Sequence, residues 1–180
     1  MLKLMEIRSG DDAVFRQVYK QVFPLVMRVA YHVTFNADIA EDICQDAFIR
    51  FYDKDMTFPS LDDAKFWLIR VVKNLAINHV KRKANEVAKM EKIGRTPTDN
   101  PFGDGARELL LNESKVAVRR AVAQLPEIYR TAIVLREYAD LDYQQIAKVL
   151  KISESNVKVR VHRARKELEV ILGREDVNVP

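Results

Sequence analysis

Residues Asp142 to Leu168 read DYQQIAKVLKISESNVKVRVHRARKEL. Two amphipathic segments flank a short break at Lys151, Ile152 and Ser153. Asp142 can cap the first segment, and Gln145, three residues on, can complete a capping box. Ile146, Ala147 and Leu150 form its apolar stripe, and the small Ala147 lets a second helix cross closely. Ser153 is a natural N-cap for that second helix, with Glu154 suited to the positive end of its dipole. At about 100° per residue, Val157, Val161, Ala164 and Leu168 then share one face, which is the expected core face. This spacing predicts a helix-turn-helix.

The opposite face of the second helix carries Ser155, Val159, His162, Arg163 and Lys166, flanked by Lys158. A major-groove reader needs this set: cations for guanine, a hydroxyl for either base, an apolar group for the thymine methyl. Arg160 and Arg165 border the core stripe, within reach of phosphates or acids. A merely solvated basic helix would show the same charges, but not the capped helix, tight turn and matching stripe that precede them. His162 has no metal-ligand partner at a suitable spacing, so no metal is expected.

Working outward, helical periodicity dominates the 180 residues and no alternating strand pattern stands out. Helices are predicted near Ala13–Tyr31, Ala37–Tyr52, Ala64–Lys83, Glu108–Gln124, Glu127–Tyr138, Tyr143–Leu150 and Ser155–Leu172. Gly94 to Gly105 (GRTPTDNPFGDG) holds prolines, glycines and few aliphatics, and is the best linker candidate. The expected fold is all-α: two small helical domains joined by a flexible linker. The boundaries are 1–84, a linker over 85–111, a second domain over 112–174, and a frayed tail over 175–180. Each domain is small for independent stability. Hydrophobic residues make up 48% of the chain, enough for a core. The lone Cys44 rules out a disulfide within the chain and fits a reducing cytoplasm. No signal peptide and no membrane-length apolar run is evident.

The net charge of +4 conceals segregation. Asp38 to Asp63 is acidic, Arg70 to Lys92 is basic, and the last predicted helix is basic again. Such fields suit nucleic acid on the basic parts and a basic protein surface on the acidic one.

In Ala64 to Lys83 (AKFWLIRVVKNLAINHVKRK), Leu68, Val71, Val72 and Leu75 define the inner face. Trp67, Arg70, Asn74, Ile77 and Lys81 form an outer stripe, edged by Phe66, Lys73 and Asn78. Aromatic, amide and cationic side chains together suit single-stranded nucleic acid, by stacking on bases and holding the backbone. Core aromatics beside solvated cations are the plainer alternative. His79, near the inner face, reads as a core histidine. In Ala37 to Tyr52 (ADIAEDICQDAFIRFY), Ala40, Ile43, Cys44, Ala47 and Phe51 face inward. Asp38, Asp42, Gln45, Asp46 and Ile49 face outward, beside Glu41 and Tyr52. An isoleucine amid acids suits a protein-binding helix.

Three motifs thus stand in fixed order. They are Ala40-Glu41-Asp42-Ile43-Cys44-Gln45-Asp46-Ala47-Phe48; then Phe66-Trp67-Leu68-Ile69-Arg70 running to Asn74-Leu75-Ala76-Ile77-Asn78; then Leu125-Pro126 with Tyr143-Gln144-Gln145-Ile146-Ala147 and Val157 to Arg165. In this the chain resembles the small extracytoplasmic-function sigma factors of the bacterial sigma-70 family, across nearly its whole length. The resemblance implies a sigma-2-like bundle and a sigma-4-like helix-turn-helix, with no sigma-1.1 or sigma-3 domain. It implies core RNA polymerase and promoter DNA as partners, and leaves room for an anti-sigma factor. By motif position, Asp42, Gln45, Asp46 and Tyr52 would meet the clamp coiled coil of the largest polymerase subunit; Asp38, Glu41 and Ile49 extend that surface. The loop Thr57 to Asp63 and the Trp67 helix would recognise and open the minus-ten element, through Trp67, Arg70, Lys73, Asn74, Asn78, Lys81 and Arg82. That loop lacks the basic or glycine residues usual in the family. Ser155, Asn156, Lys158, Val159, Arg160, His162, Arg163 and Lys166 would read the minus-thirty-five element. No cofactor or metal, no enzymatic activity and no membrane insertion is implied.

Two other readings compete. A dimeric helix-turn-helix regulator would explain Asp142 to Leu168 but neither the acidic helix nor the Trp67 stripe. An all-helical magnesium-dependent nucleotide hydrolase would use Glu41, Asp42 and Asp46, but needs carboxylates converging from a second helix. Asp62 and Asp63 are expected on a loop. No Ser/His/Asp or Cys/His arrangement and no phosphate-binding glycine loop is present.

Overall fold

The computed structural model describes residues 6–92 and 113–176. Seven helices appear among them: α1 (Asp12–Thr34), α2 (Ala37–Asp53), α3 (Leu61–Lys92), α4 (Glu113–Gln124), α5 (Glu127–Glu137), α6 (Tyr143–Leu150) and α7 (Glu154–Asp176). Two-residue strands β1 (Ile7–Arg8) and β2 (Thr57–Phe58) pair antiparallel, Ile7 opposite Phe58. Apart from this short strand pair, the described residues are helical and form two domains, as expected.

Local chemistry sets the helix ends. The Asp11 carboxylate accepts from the Ala13 and Val14 amides and opens α1. Phe35 closes it in the left-handed region at φ 52°, and Asn36 caps α2 by accepting from the Ile39 amide. Ser60 accepts from the Asp63 amide at the start of α3 and donates its own hydroxyl to the Asp63 carboxylate. That cap draws Asp62 and Asp63 into the first turn of α3, correcting their placement on a loop.

In the first domain, α1 buries Val18, Val22, Val26, Val29 and Val33 at helical spacing. Against them lie Phe48 and Phe51 of α2 and Leu68, Ile69 and Val72 of α3. The strands fix the chain that enters α1. Arg8 and Asp55 form a two-pronged ion pair at 2.8 and 2.7 Å, and the Ser9 hydroxyl accepts from the Met56 amide. A Cβ on Gly10 would lie 2.5 Å from Asp55 Oδ1, so a side chain there would displace the Asp55 carboxylate that Arg8 holds. Strands of this length leave no periodic signal, which is why none was expected.

In the second domain, Leu125, Leu135, Ile146, Val149, Val157, Val161 and Ala164 are buried. On α6, Val149 is fully buried whereas Ala147 and Leu150 are half-buried, a small rotation from the expected stripe. The buried residues of both domains join in one apolar cluster. That continuity offsets the small size of each half.

Three boundaries move. The α3 helix continues through residues 85–92, where a linker was expected to begin. The α7 helix reaches Asp176, past the expected start of the tail at 175. The rest of the linker expectation, the helix start at Glu108 and residues 177–180 lie outside the described residues.

The domains meet around the end of α1. The His32 ring stacks on Tyr138, the C-cap of α5, at 3.5 Å between centroids. The Arg119 guanidinium of α4 donates to the Phe35 carbonyl at 3.3 Å and lies over the Tyr31 and Phe35 rings. Burial, then the charges of Arg119 and Arg28, push the His32 imidazole down to about 4. The unfolded chain, with a histidine near 6.5, therefore takes up a proton before the folded one does. This contribution to stability is complete above about pH 6.5 and is lost as pH falls towards 4. The expected result is a denaturant midpoint that drops across this window in the parent and drops less in His32→Gln.

Candidate nucleic-acid and protein-docking surfaces

The outward face of α2 forms as expected. Asp38, Glu41, Asp42, Gln45, Asp46, Ile49 and Tyr52 are all exposed, while Ala40, Ile43, Cys44, Ala47 and Phe51 are buried. Ile49 is 57% exposed, uncommon for an isoleucine on a folded helix. Gln45 donates to Glu41 at 3.3 Å, and the Tyr52 hydroxyl donates to Asp12 of α1 at 2.8 Å. That bond, followed by the negative charge of Asp12, raises the Tyr52 phenol above its ordinary value. Cys44 is inert: burial first, and then Glu41, push its thiol up to about 12.

Sequence reading missed half of this surface. Phe15 and Tyr19 of α1 line an apolar groove with Phe48, Ile49 and Tyr52, rimmed by Asp12, Gln45 and Asp53. Phe15 meets Tyr52 edge-on at 5.3 Å, and Tyr19 meets Phe48 at 4.8 Å. Their i, i+4 spacing on α1 was the available signal. A second hollow, between α2 and the far half of α3, is lined by Asp42, Asp46, Ile49, Arg50, Asn78 and Arg82, among others. Ile49 stands between the two hollows and contributes to both.

The α3 stripe is divided. Asn74, Asn78, Lys81 and Arg82 are exposed. Trp67 is half-buried, its ring 5.9 Å from Phe51 and 6.1 Å from Phe58, so it serves the core as well as the surface. Ile77 is buried, correcting its place on the outer stripe. Ile69 and Ala76 are buried too, whereas Val71 and Leu75 are only half-buried. The cause is burial from two sides: α1 and α2 cover one flank of α3, and α6 covers another.

That second flank also takes up cations. Arg70 donates through Nε to the Val149 carbonyl at 2.9 Å and through Nη2 to the Lys148 carbonyl at 2.7 Å. Lys81 pairs with Glu127 of α5 at 2.7 Å. Lys73 is half-buried; burial lowers its ammonium, Glu127 opposes that, and Arg70 and Lys81 add to it. Arg82 lies 4.0 Å from Glu86.

The helix-turn-helix has the expected geometry. The capping box at Asp142 and Gln145 is formed on both sides, at 2.8 and 3.0 Å. Lys151 turns the chain in the left-handed region at φ 55°, and Ser153 accepts from the Asn156 amide. On α7, Ser155, Asn156, Lys158, Val159, His162, Arg163 and Lys166 are exposed, and Arg160 is half-exposed. Arg160 donates to Asn156, Lys158 pairs with Glu154, and Arg165 pairs with Glu137. Tyr129 of α5 was not foreseen: its hydroxyl accepts from Arg163 Nη1 at 3.3 Å.

Among the described residues, no three His, Cys, Asp or Glu side chains converge as a metal site would require, so the carboxylates of α2 find no second helix. Nor is any helix among them long and apolar enough to cross a membrane.

The family description "Sigma-70 region 2" matches residues 18–86, and "Sigma-70, region 4" matches residues 115–168. The RNA polymerase sigma-H factor of Pseudomonas aeruginosa is 32% identical over 145 residues, spanning 71% of this chain and 70% of that protein. The ECF RNA polymerase sigma factor SigW of Bacillus subtilis is 27% identical over 173 residues, 92% of each. Among solved structures, the sigma factor RpoE in complex with the anti-sigma factor NepR, from Bartonella quintana, superposes with a TM-score of 0.64 at 22% identity. It covers 88% of this chain and 96% of that one. CnrH in complex with the cytosolic domain of CnrY superposes at 0.66 and 21%, covering 95% and 93%. These two likenesses show the fold.

Proposed function

Because the chain belongs to the sigma-70 family of RNA polymerase sigma factors, in its extracytoplasmic-function group, we propose that its surfaces divide the work of promoter recognition. The protein is a sigma factor: it joins core RNA polymerase and directs transcription initiation at promoters. Residues 1–84 act as the sigma-2-like domain, which binds core and opens the minus-ten element. Residues 112–174 act as the sigma-4-like domain, which reads the minus-thirty-five element, and 85–111 join the two. The protein works in the cytoplasm, by binding rather than by chemistry of its own.

The observation that carries this division is that one chain exposes an acidic helix with a bare isoleucine, and two cationic helices elsewhere. The α2 face and its aromatic groove take the clamp coiled coil, burying Ile49 as anchor with Asp42, Gln45 and Asp46 around it. Asp38, Glu41 and Tyr52 complete that rim. On α3, Trp67 supplies a stacking edge, Asn74 and Asn78 supply amides, and Arg70, Lys73, Lys81 and Arg82 hold the backbone. On α7, Val159, His162 and Arg163 face the bases, with Ser155, Asn156, Lys158, Arg160 and Lys166 around them. Because both structural relatives were solved with anti-sigma partners, a partner of that kind is proposed here as well.

Run-off transcription with core polymerase over a promoter library tests the function: transcripts start at defined promoters only when this protein is added. The same assay tests Trp67. Truncating it to alanine removes packing against Phe51 and Phe58 as well as a stacking surface. Trp67→Ala is expected to lower thermal stability and to weaken strand opening by about 1–3 kcal/mol relative to closed-complex formation. Trp67→Phe, which keeps an aromatic face, restores most of both. Opening that survives Trp67→Ala, at a temperature where the variant stays folded, leaves Trp67 a core residue alone.

A further inference from the structure

We propose that β1 braces the loop between β2 and α3, with Arg8 and Asp55 as the positioning pair that holds this loop ready to take a base. This rests on the reading of Thr57 to Asp63 as part of the minus-ten surface.

The loop is short and tied at both ends. Downstream, Ser60 and Asp63 bond to each other at the start of α3. Upstream, the ties come from β1 and from Ser9 beside it. The Ser9 amide donates to the Met56 carbonyl at 2.9 Å, and the Ser9 hydroxyl accepts from the Met56 amide at 2.7 Å. Arg8 stands opposite Thr57 in the ladder and grips the Asp55 carboxylate with both prongs, at 2.8 and 2.7 Å. Asp55 turns the chain in the left-handed region, at φ 43°, just before β2. A ladder of two residues is too short to hold itself. The side-chain bonds of Arg8 and Ser9 therefore set where β2 and the loop after it lie.

The brace also reaches the stacking residue. Side chains alternate along the ribbon, so Arg8 and Thr57 are exposed while Ile7 and Phe58 are buried. Phe58 stacks on Phe51 at 5.6 Å and meets Trp67 edge-on at 6.1 Å. A shift of β2 would move the loop and the wall behind Trp67 together. Thr57 and Pro59 are exposed on that loop. Holding them in one conformation beforehand spares the complex an ordering cost. The Arg8–Asp55 pair itself lies in the open, with its side chains 68% and 46% exposed. Such a pair adds little to the stability of a fold, so it can be cut while the domain stays folded.

The test uses holoenzyme built from core polymerase and full-length variants. The probes are single-stranded oligonucleotides spanning the minus-ten element of a promoter taken from the run-off library, with each base varied in turn. These bind without prior strand opening. Arg8→Met is expected to weaken the preferred oligonucleotide roughly tenfold and to shrink its advantage over the other bases, because the loop is in its binding conformation for a smaller fraction of the time. Asp55→Asn keeps the left-handed turn but loses the carboxylate, and is expected to act in the same direction. Arg8→Lys, which keeps the charge without the two-pronged grip, should recover part of the loss. Core affinity and the denaturant midpoint should stay parental in all three. Parental base preference in both Arg8→Met and Asp55→Asn overturns the brace. A loss in Arg8→Met beside a parental Asp55→Asn also overturns it, since Arg8 would then touch the nucleic acid directly. So does a fall in core affinity and denaturant midpoint in step with the oligonucleotide, because β1 would then support the whole bundle. Failure of the loop reading shows separately: Thr57→Ala and Pro59→Ala would then keep the parental preference.

Discussion

Ile49→Arg is expected to weaken binding to core polymerase by about 2 kcal/mol or more, roughly thirtyfold, with the fold intact. Ile49 is 57% exposed and touches both hollows beside α2, so its replacement disturbs no core contact of this chain. The loss comes at the interface, where a cation replaces an apolar anchor among residues that attract a basic partner. Asp46→Lys, on the same exposed face, is expected to act in the same direction through like-charge contact. Tyr19→Ala extends the test to α1, because that ring lines the groove from the other side. Titration of labelled core with each variant measures the loss, and circular dichroism checks the fold. Parental affinity in both Ile49→Arg and Asp46→Lys removes this surface from the interface.

What was legible in the sequence was what local rules decide. The capping box at Asp142 and Gln145, the turn at Lys151 and the buried stripe Val157–Val161–Ala164 depend on residues within a few turns of one another. All stand where periodicity put them, although Leu168, expected on the same stripe, is only half-buried. The two faces of α2 were equally readable, since that helix is buried from one side only. The α3 helix was not. Its outer stripe was assigned by rotation alone, which assumes a single buried face. The oxygens that meet Arg70 and Lys81 come from helices far along the chain, and no local signal announces them. Ile77 was therefore placed outside when it is buried, and Arg70 and Lys81, read as open to nucleic acid or solvent, meet α6 and α5 instead. The groove beside Ile49 escaped for a similar reason: Phe15 and Tyr19 become a surface only when α1 lies against α2.

The recognition helix separates two kinds of contact that a static surface shows alike. Arg163 and Lys166 are both exposed cations on α7. Arg163 lies beside His162 and Val159, opposite the stripe that α7 buries, and its guanidinium is held by the Tyr129 hydroxyl at 3.3 Å. A guanidinium held in this way is set to give a guanine two hydrogen bonds, a contact typically worth about 1–3 kcal/mol of discrimination. Lys166, a turn nearer the end of the helix, offers a point charge suited to phosphate, which carries no sequence information. Arg163→Ala is therefore expected to relax preference at one minus-thirty-five position, leaving other positions and the salt dependence nearly unchanged. Lys166→Ala is expected to weaken binding to all sequences alike and to reduce the salt slope by about one phosphate contact. Tyr129→Phe, which removes only the hydroxyl, should reproduce a fraction of the Arg163→Ala effect at that same position. A base-by-base binding scan of the upstream element at two salt concentrations, with holoenzyme built from each variant, distinguishes the three. Equal loss on every sequence for Arg163→Ala would move the groove-facing side of α7 away from Arg163 and leave Tyr129 as a packing contact.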